Sequence, residues 1–213
     1  MDIYELILKK DLQSIKNRLN DNNLDINFTN NNGFTYLWLS INGILRRTKE
    51  VNTNFADYEI VYFLLEKNAD PNKKCMSMSP LYTAIFHKRH DITRLLLMNN
   101  ANPNATNVIK FIKNRLFIEV PLNIAIANID LTMIKLLVLY GAIYNKITIM
   151  KIKLLIKNLG KEKEKIKELI KIKKYLKKHY KEDMENKVFD ITNQQKIGYF
   201  PNYYACFQID DQD

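Results

Sequence analysis

"SPLYTA", Ser79–Ala84, and "VPLNIA", Val120–Ala125, are one six-residue pattern written twice. Each is followed at a fixed distance by a leucine pair and an alanine: Leu95-Leu96 to Ala101, and Leu136-Leu137 to Ala142. A weaker third copy opens at Thr35 with "TYLWLS" and closes with Leu64-Leu65 before Ala69. A unit of this length cannot bury its own apolar face, so phased copies predict units stacked on one another.

Within a copy, the local signals describe two helices. Ser79 supplies an N-cap hydroxyl and Pro80 occupies the first helical position, where its missing N–H costs nothing. The chain breaks near Lys88–Asp91, and a second apolar stretch, Ile92–Leu97, runs into "NNANPN", Asn99–Asn104. Asn100 sits where a left-handed residue should stop the helix, and Gly141 holds that place in the next copy.

These residues resemble the ankyrin repeat, whose signature is a T-P-L-H-x-A opener, a leucine-rich second helix and a G-A-x-x-N closer. The resemblance covers roughly residues 1–145. It rests on Thr35/Tyr36/Leu37, Ser79/Pro80/Leu81/Ala84 and Val120/Pro121/Leu122/Ala125, with closers "NADPN", "NANPN" and "GAIYN" ending at Asn72, Asn104 and Asn145. Upstream, Asp11–Leu19 and Leu24–Asn27 look like the back half of an N-terminal capping repeat, and "NFTNNNGFT" keeps the family's finger spacing with Gly33 two residues before the threonine. The implied fold is an all-α ankyrin-repeat solenoid with finger loops and helical caps. Its implied layout is a cap at 1–28, repeats at 29–72, 73–104 and 105–145, a basic helical cap at 146–181 and an acidic, aromatic tail at 182–213.

The copies diverge from the family. Openers at 35, 79 and 120 are spaced more widely than the family period of about 33 residues. The closers locate the excess: one insertion within the first repeat, near Gly43–Phe55, and one in the third finger, Ala105–Glu119. Trp38, Tyr82 and Asn123 replace the family's histidine, and Trp38 reads as a packing residue. Ala56, Lys88 and Ile129 replace the glycine between paired helices, predicting less regular turns.

Charge is unevenly distributed. The net +10 comprises 17 basic against 13 acidic residues over 1–145, 14 lysines against 3 glutamates over 146–181, and 2 lysines against 7 acids over 182–213. "NKITIMKIKLLIKNLG" reads as a helix closed by Gly160. In the next helix Ile166, Leu169, Ile170, Leu176 and Tyr180 are expected to form one apolar stripe among lysines. The first expectation for this segment is a solenoid cap with a polar outer face. The alternative is an anion-binding patch of Lys171, Lys173, Lys174, Lys177, Lys178 and Lys181 for nucleic acid or anionic lipid. The tail, with Phe189, Tyr199, Phe200, Tyr203, Tyr204 and Phe207, is expected either to pack along the last helices or to dock another protein.

Nothing in the sequence spells catalysis. His87, His90 and His179 form no acid–histidine–nucleophile pattern, and five glycines leave no phosphate loop. His87 and His90 lack a third nearby metal ligand. Asp91 and Asp130 read as helix-start residues. No enzyme, metal or cofactor is expected. No apolar run approaches the ~18 residues that span a bilayer, and no leader opens the sequence. Two cysteines, Cys75 and Cys206, fit a reducing compartment, so a cytoplasmic location is expected, in a host cell if the chain is viral or a bacterial effector.

The resemblance implies a non-catalytic adaptor, inhibitor or scaffold that binds a partner protein on a concave surface. Mapped by that resemblance, the contact positions are Asn31, Asn32, Phe34 and Asn42; Met76, Met78, Phe86 and His87; and Phe117, Glu119 and Asn128. The centre of that row is apolar and rich in methionine and phenylalanine, as protein-binding hot spots are. The other reading is that the long third finger folds over and buries several of them.

Overall fold

A computed structural model of the chain describes residues 2–20, 24–42, 57–112 and 115–186. Helices come in consecutive pairs: α1 (Ile3–Lys9) with α2 (Leu12–Leu19), α3 (Tyr36–Asn42) with α4 (Tyr58–Glu66), and α5 (Pro80–Phe86) with α6 (His90–Met98). A hairpin follows, β1 (Asn107–Ile112) and β2 (Arg115–Glu119), then α7 (Pro121–Ala127) with α8 (Leu131–Leu139) and α9 (Lys146–Asn158) with α10 (Lys163–Asn186). First helices pack in a row, α1 on α3 on α5 on α7; second helices form another, with α4 on α6 and α8 on α10. The result is an all-α solenoid carrying one small two-stranded sheet.

Helix starts follow the side chains. Asp11, Asp57, Ser79 and Asp130 each accept a hydrogen bond from a backbone N–H in the first turn of α2, α4, α5 and α8. Asn145 and Thr148 form a reciprocal capping box on α9. Asp91 does not cap: it lies inside the first turn of α6 and pairs with Arg89 at 2.7 Å.

Helix ends share one closure. Ala69, Ala101 and Ala142 donate their N–H to the carbonyls of Leu64, Leu96 and Leu137 at 3.0, 3.0 and 2.9 Å, across the left-handed residues Asn68, Asn100 and Gly141. The leucine pair of the first copy is therefore out of phase with the sequence reading: Leu64, fully buried, is the equivalent of Leu96 and Leu137. First helices close the same way. Asp11, Arg89 and Asp130 bond back to Leu6, Ala84 and Ala125 across left-handed Lys10, Lys88 and Ile129. The turns at Lys88 and Ile129 are regular despite the lost glycines, contrary to expectation, so both residues bear the steric cost of a positive φ, while Ala56 lies outside the described residues.

The N-terminal segment is a complete helix pair, with α1 supplying a first helix that the sequence reading had not assigned. Tyr4 Oη donates to the carbonyls of Phe34 at 2.9 Å and Phe28 at 3.2 Å, tying α1 to the next finger. The insertion placed at Ala105–Glu119 is the hairpin, in antiparallel register with Val108 opposite Ile118 and Phe111 opposite Leu116. The other insertion, near Gly43–Phe55, and the aromatic tail from residue 187 lie outside the described residues; α10 itself continues to Asn186.

One continuous apolar cluster runs from Ile3 to Leu176. In α10 the buried stripe is Leu169, Ile172 and Leu176, with Ile166 half-buried beside it. Ile170, expected in that stripe, is 51% exposed: at 100° per residue it lies about 160° from Ile172. Tyr180's side chain lies outside the described residues.

Lys88 is exposed and left-handed, so Lys88→Gly should raise the free energy of unfolding by roughly 0.5–1 kcal/mol, the relieved strain exceeding the added chain entropy. Urea denaturation checks this, and an unchanged or lower midpoint would contradict the strain assignment.

Candidate functional site

The fingers precede the first helices and present their tips beside them. In the first finger, Asn30 Oδ1 accepts from the backbone N–H groups of Asn32 and Phe34, both at 3.0 Å, with Gly33 at φ +74°. Asn31 and Asn32 are exposed at its tip. Phe34 is half-buried, its ring stacked on Trp38 with centroids 4.9 Å apart. Trp38 is buried, a packing residue as read from the sequence.

The second finger is a two-residue turn between Cys75 and Met78, whose backbones exchange two hydrogen bonds of 2.9 Å. Both central residues are left-handed: Met76 at φ +51° and Ser77 at φ +65°. Turns of this type select Asn-Gly because a side chain there is strained. Here the first position carries a methionine that is 65% exposed. Met78, by contrast, is half-buried and packs on the core.

At the other end of α5, about 10 Å along its axis, Phe86 is 61% exposed. It meets the His87 ring edge-on at 5.4 Å, and His87 Nε2 lies 3.1 Å from Asn42 Oδ1 at the end of α3. Burial, then the nearby Arg89 charge, lower the His87 pKa, so the ring is neutral at pH 7. Asn42, Phe86 and His87 thus come together as one cluster. Asn128, which ends α7, is half-buried, with its N–H bonded to the Ile124 carbonyl at 2.9 Å. Phe117 stands on β2 opposite Lys110; its side chain lies outside the described residues.

Glu119 is buried at the base of the hairpin. Burial raises its pKa, and the Lys151 ammonium of α9 pulls the other way. Lys151 has its own pKa lowered by the same burial. Tyr82 of α5 is pushed well above its usual range by burial and by the Glu119 charge. Glu119 therefore belongs to an internal polar group with Tyr82 and Lys151. Sequence reading missed Lys151, which is one of fourteen lysines in its segment, and Asn107. Asn107 is fully buried; its Oδ1 accepts from the Ser79 N–H at 2.7 Å, and its Nδ2 donates to the carbonyls of Ala105 and Glu119. It fastens the hairpin to the cap of α5.

On α10, Lys171, Lys174 and Lys178 fall at i, i+3 and i+7, on one exposed ridge. Lys171 is paired with Glu168 at 2.6 Å; Lys177 is exposed, Lys173 half-buried, and the Lys181 side chain lies outside the described residues. His90 Nε2 contacts Asp130 Oδ2 at 2.8 Å. Among the described residues no group of three or more His, Cys, Asp or Glu is placed to hold a metal ion, and no helix is long and apolar enough to cross a membrane.

A family model for ankyrin repeats matches residues 5–107 in 3 copies. The match runs from within α1 to the first residue of β1 and spans the first three helix pairs, ending where the hairpin departs from the family's finger. A comparison with curated proteins found no match.

The internal pair predicts a pH signature. Glu119's folded pKa is raised, so the folded chain keeps a proton that the unfolded chain has released, and stability falls as pH rises through that window. Lys151→Met removes the charge that opposes this shift. The variant should lose roughly 1–2 kcal/mol against the parent near pH 7.5 and recover towards pH 5. Urea midpoints at pH 5, 6.5 and 7.5 check it; a difference independent of pH would uncouple the two residues.

Proposed function

Because this chain is an ankyrin-repeat protein, of a family whose members generally act as protein–protein interaction modules, we propose that it is a non-catalytic adaptor or inhibitor. It binds one partner protein through the finger tips and the ends of the first helices. The observation that carries this reading is Met76: an exposed methionine held at positive φ in a turn that favours Asn-Gly. Strain of this kind persists where the fold around it overrides the local preference, and it concentrates at binding sites. Met76 and Phe86 are the two apolar anchors of the surface, with Asn31, Asn32, Asn42 and His87 as its polar rim. Methionine adapts its shape to a partner, and phenylalanine supplies buried area, which together suit a protein rather than a small ligand. A cytoplasmic setting fits this reading, with Cys75 buried as a free thiol.

The anion-binding alternative has one observation in its favour, the exposed ridge of Lys174 and Lys178 beside Lys171. Residues 146–181 contain no arginine, which weakens a phosphate-fork reading. Binding of that kind would collapse with added salt.

Affinity capture from the natural cell with mass spectrometry identifies the partner. Met76→Glu with Phe86→Glu should then abolish capture while leaving the helical circular dichroism spectrum unchanged. Both side chains are exposed, whereas a charge at Met78 would enter the core. A second pair of outcomes separates binding from folding: Met76→Asn with Ser77→Gly should stabilise the chain by about 1 kcal/mol yet weaken the complex at least tenfold. Undiminished capture by either folded variant would refute this face.

A further inference from the structure

Helix α9 is apolar on two opposite sides. Ile149, Ile152 and Ile156, at i, i+3 and i+7, turn into the solenoid, the first two buried and the third half-buried. Ile147, Met150 and Leu154 have the same spacing and lie roughly 160° round the helix from them. Ile147 is 61% and Met150 65% exposed, Leu154 is half-buried, and Ile143, 55% exposed, extends the strip at the approach to the helix. A helix with two apolar stripes is one built to be covered on both sides. Exposed Lys146, Lys153 and Lys157 border the second stripe.

We propose that residues 187–213 of this same chain cover that stripe, closing the end of the solenoid in cis. Three features select this occupant. First, the segment carries six aromatic residues, Phe189, Tyr199, Phe200, Tyr203, Tyr204 and Phe207, with four aspartates against two lysines. It thus complements both the apolar stripe and the lysines beside it, in a region where 146–181 holds 14 lysines against 3 glutamates. Second, it starts close by. α10 packs back along α9 after a short connection, so its end at Asn186 projects roughly 15 Å beyond the start of α9. At about 3.3 Å per residue, some five residues return the chain to Ile147, and the rest suffice to run along the stripe. Third, tethering gives the segment an effective concentration in the millimolar range, which a separate partner of equal contact quality lacks. The segment then serves as the terminal cap that stacked repeats need, and its acids screen the basic end of the molecule from other anions.

Cys206 lies within this segment and makes the test direct, because Cys75 is buried. Full-length Ile147→Cys, Met150→Cys and, as a control on the exposed side of α10, Lys165→Cys are oxidised mildly with diamide, and the monomer fraction is mapped by mass spectrometry. Disulfides from Cys206 to position 147 or 150 should exceed those to position 165 at least fivefold. In parallel, chymotrypsin cleavage after Tyr199, Tyr203, Tyr204 and Phe207 should be at least tenfold faster in an Ile147→Glu/Met150→Glu variant than in the parent. Equal cleavage rates overturn the proposal. So do disulfides confined to covalent dimers, which would assign the stripe to a second copy. A monomer with no preference among the three positions, its stripe fully reactive to a soluble thiol reagent, would leave the stripe to a foreign partner and likewise refute docking in cis.

Discussion

Three asparagine side chains set the register of the stack. Asn27 Oδ1 accepts the backbone N–H of Asp70, Asn72 Oδ1 that of Asn102, and Asn104 Oδ1 that of Ile143, each at 2.7 Å. Asn72 and Asn104 also donate to the carbonyls of Asn100 and Gly141 at 3.0 Å. Each bond joins the closing loop of one unit to that of the next. Apolar burial supplies most of the stacking free energy, but it is non-directional and tolerates sliding. A bidentate amide does not, because both its groups must find their partners together. The asparagines are themselves aimed locally: Asn27, Asn72 and Asn104 donate their own N–H to Asp25, Asp70 and Asn102 two residues earlier, each at 2.8 Å. The fourth closer, Asn145, caps α9 instead. There the repetition stops and the lysine-rich pair begins.

With the loops in register, the opposite edge of the stack can vary. The finger of the third repeat grows into a fifteen-residue excursion without disturbing the helices on either side, because Asn107 and Glu119 meet at its base. Asn107 links the finger to the start of α5 as Cys75 links the second finger to Thr35, where Sγ lies 3.4 Å from the Thr35 N–H nitrogen and 3.6 Å from its Oγ1. Different side chains perform the same join between finger and preceding helix cap. One consequence is the buried Glu119, which the insertion brings against Tyr82 and Lys151.

What was legible in the sequence follows from how local each signal is. Openers and closers encode caps and left-handed stops within a few residues, so the helix pairs and the site of the second insertion could be read from spacing alone. The hairpin could not, since "NVIKFIKNRLFIE" shows no clean alternation, and the buried Asn107 that ties its base to Glu119 carries no local signal. The stripe of α10 was misread at Ile170 because three isoleucines at 166, 170 and 172 satisfy several helical phases, and only contact with α8 and α9 chooses among them. Of the candidate contact positions, Met76 and Phe86 stand exposed, whereas Glu119 is internal and Met78 half so. Family position says where a side chain starts, and the inserted finger decides what covers it.

Under the proposed function, stability and recognition are carried by different edges of the same repeat. The closing loops hold the asparagine bonds and the alanine-to-leucine closures. The fingers hold the strained turn at Met76 and Ser77, whose cost of about 1–2 kcal/mol per residue the stack absorbs because α5, which follows the turn, is held in the core by the fully buried Leu81, Ala84 and Ile85. A turn that sat on a marginal hairpin would relax to a favourable conformation and lose its methionine's aim. Fixed to α5 at one side and to Thr35 through Cys75 at the other, it keeps that aim, which is the preorganisation a contact surface needs.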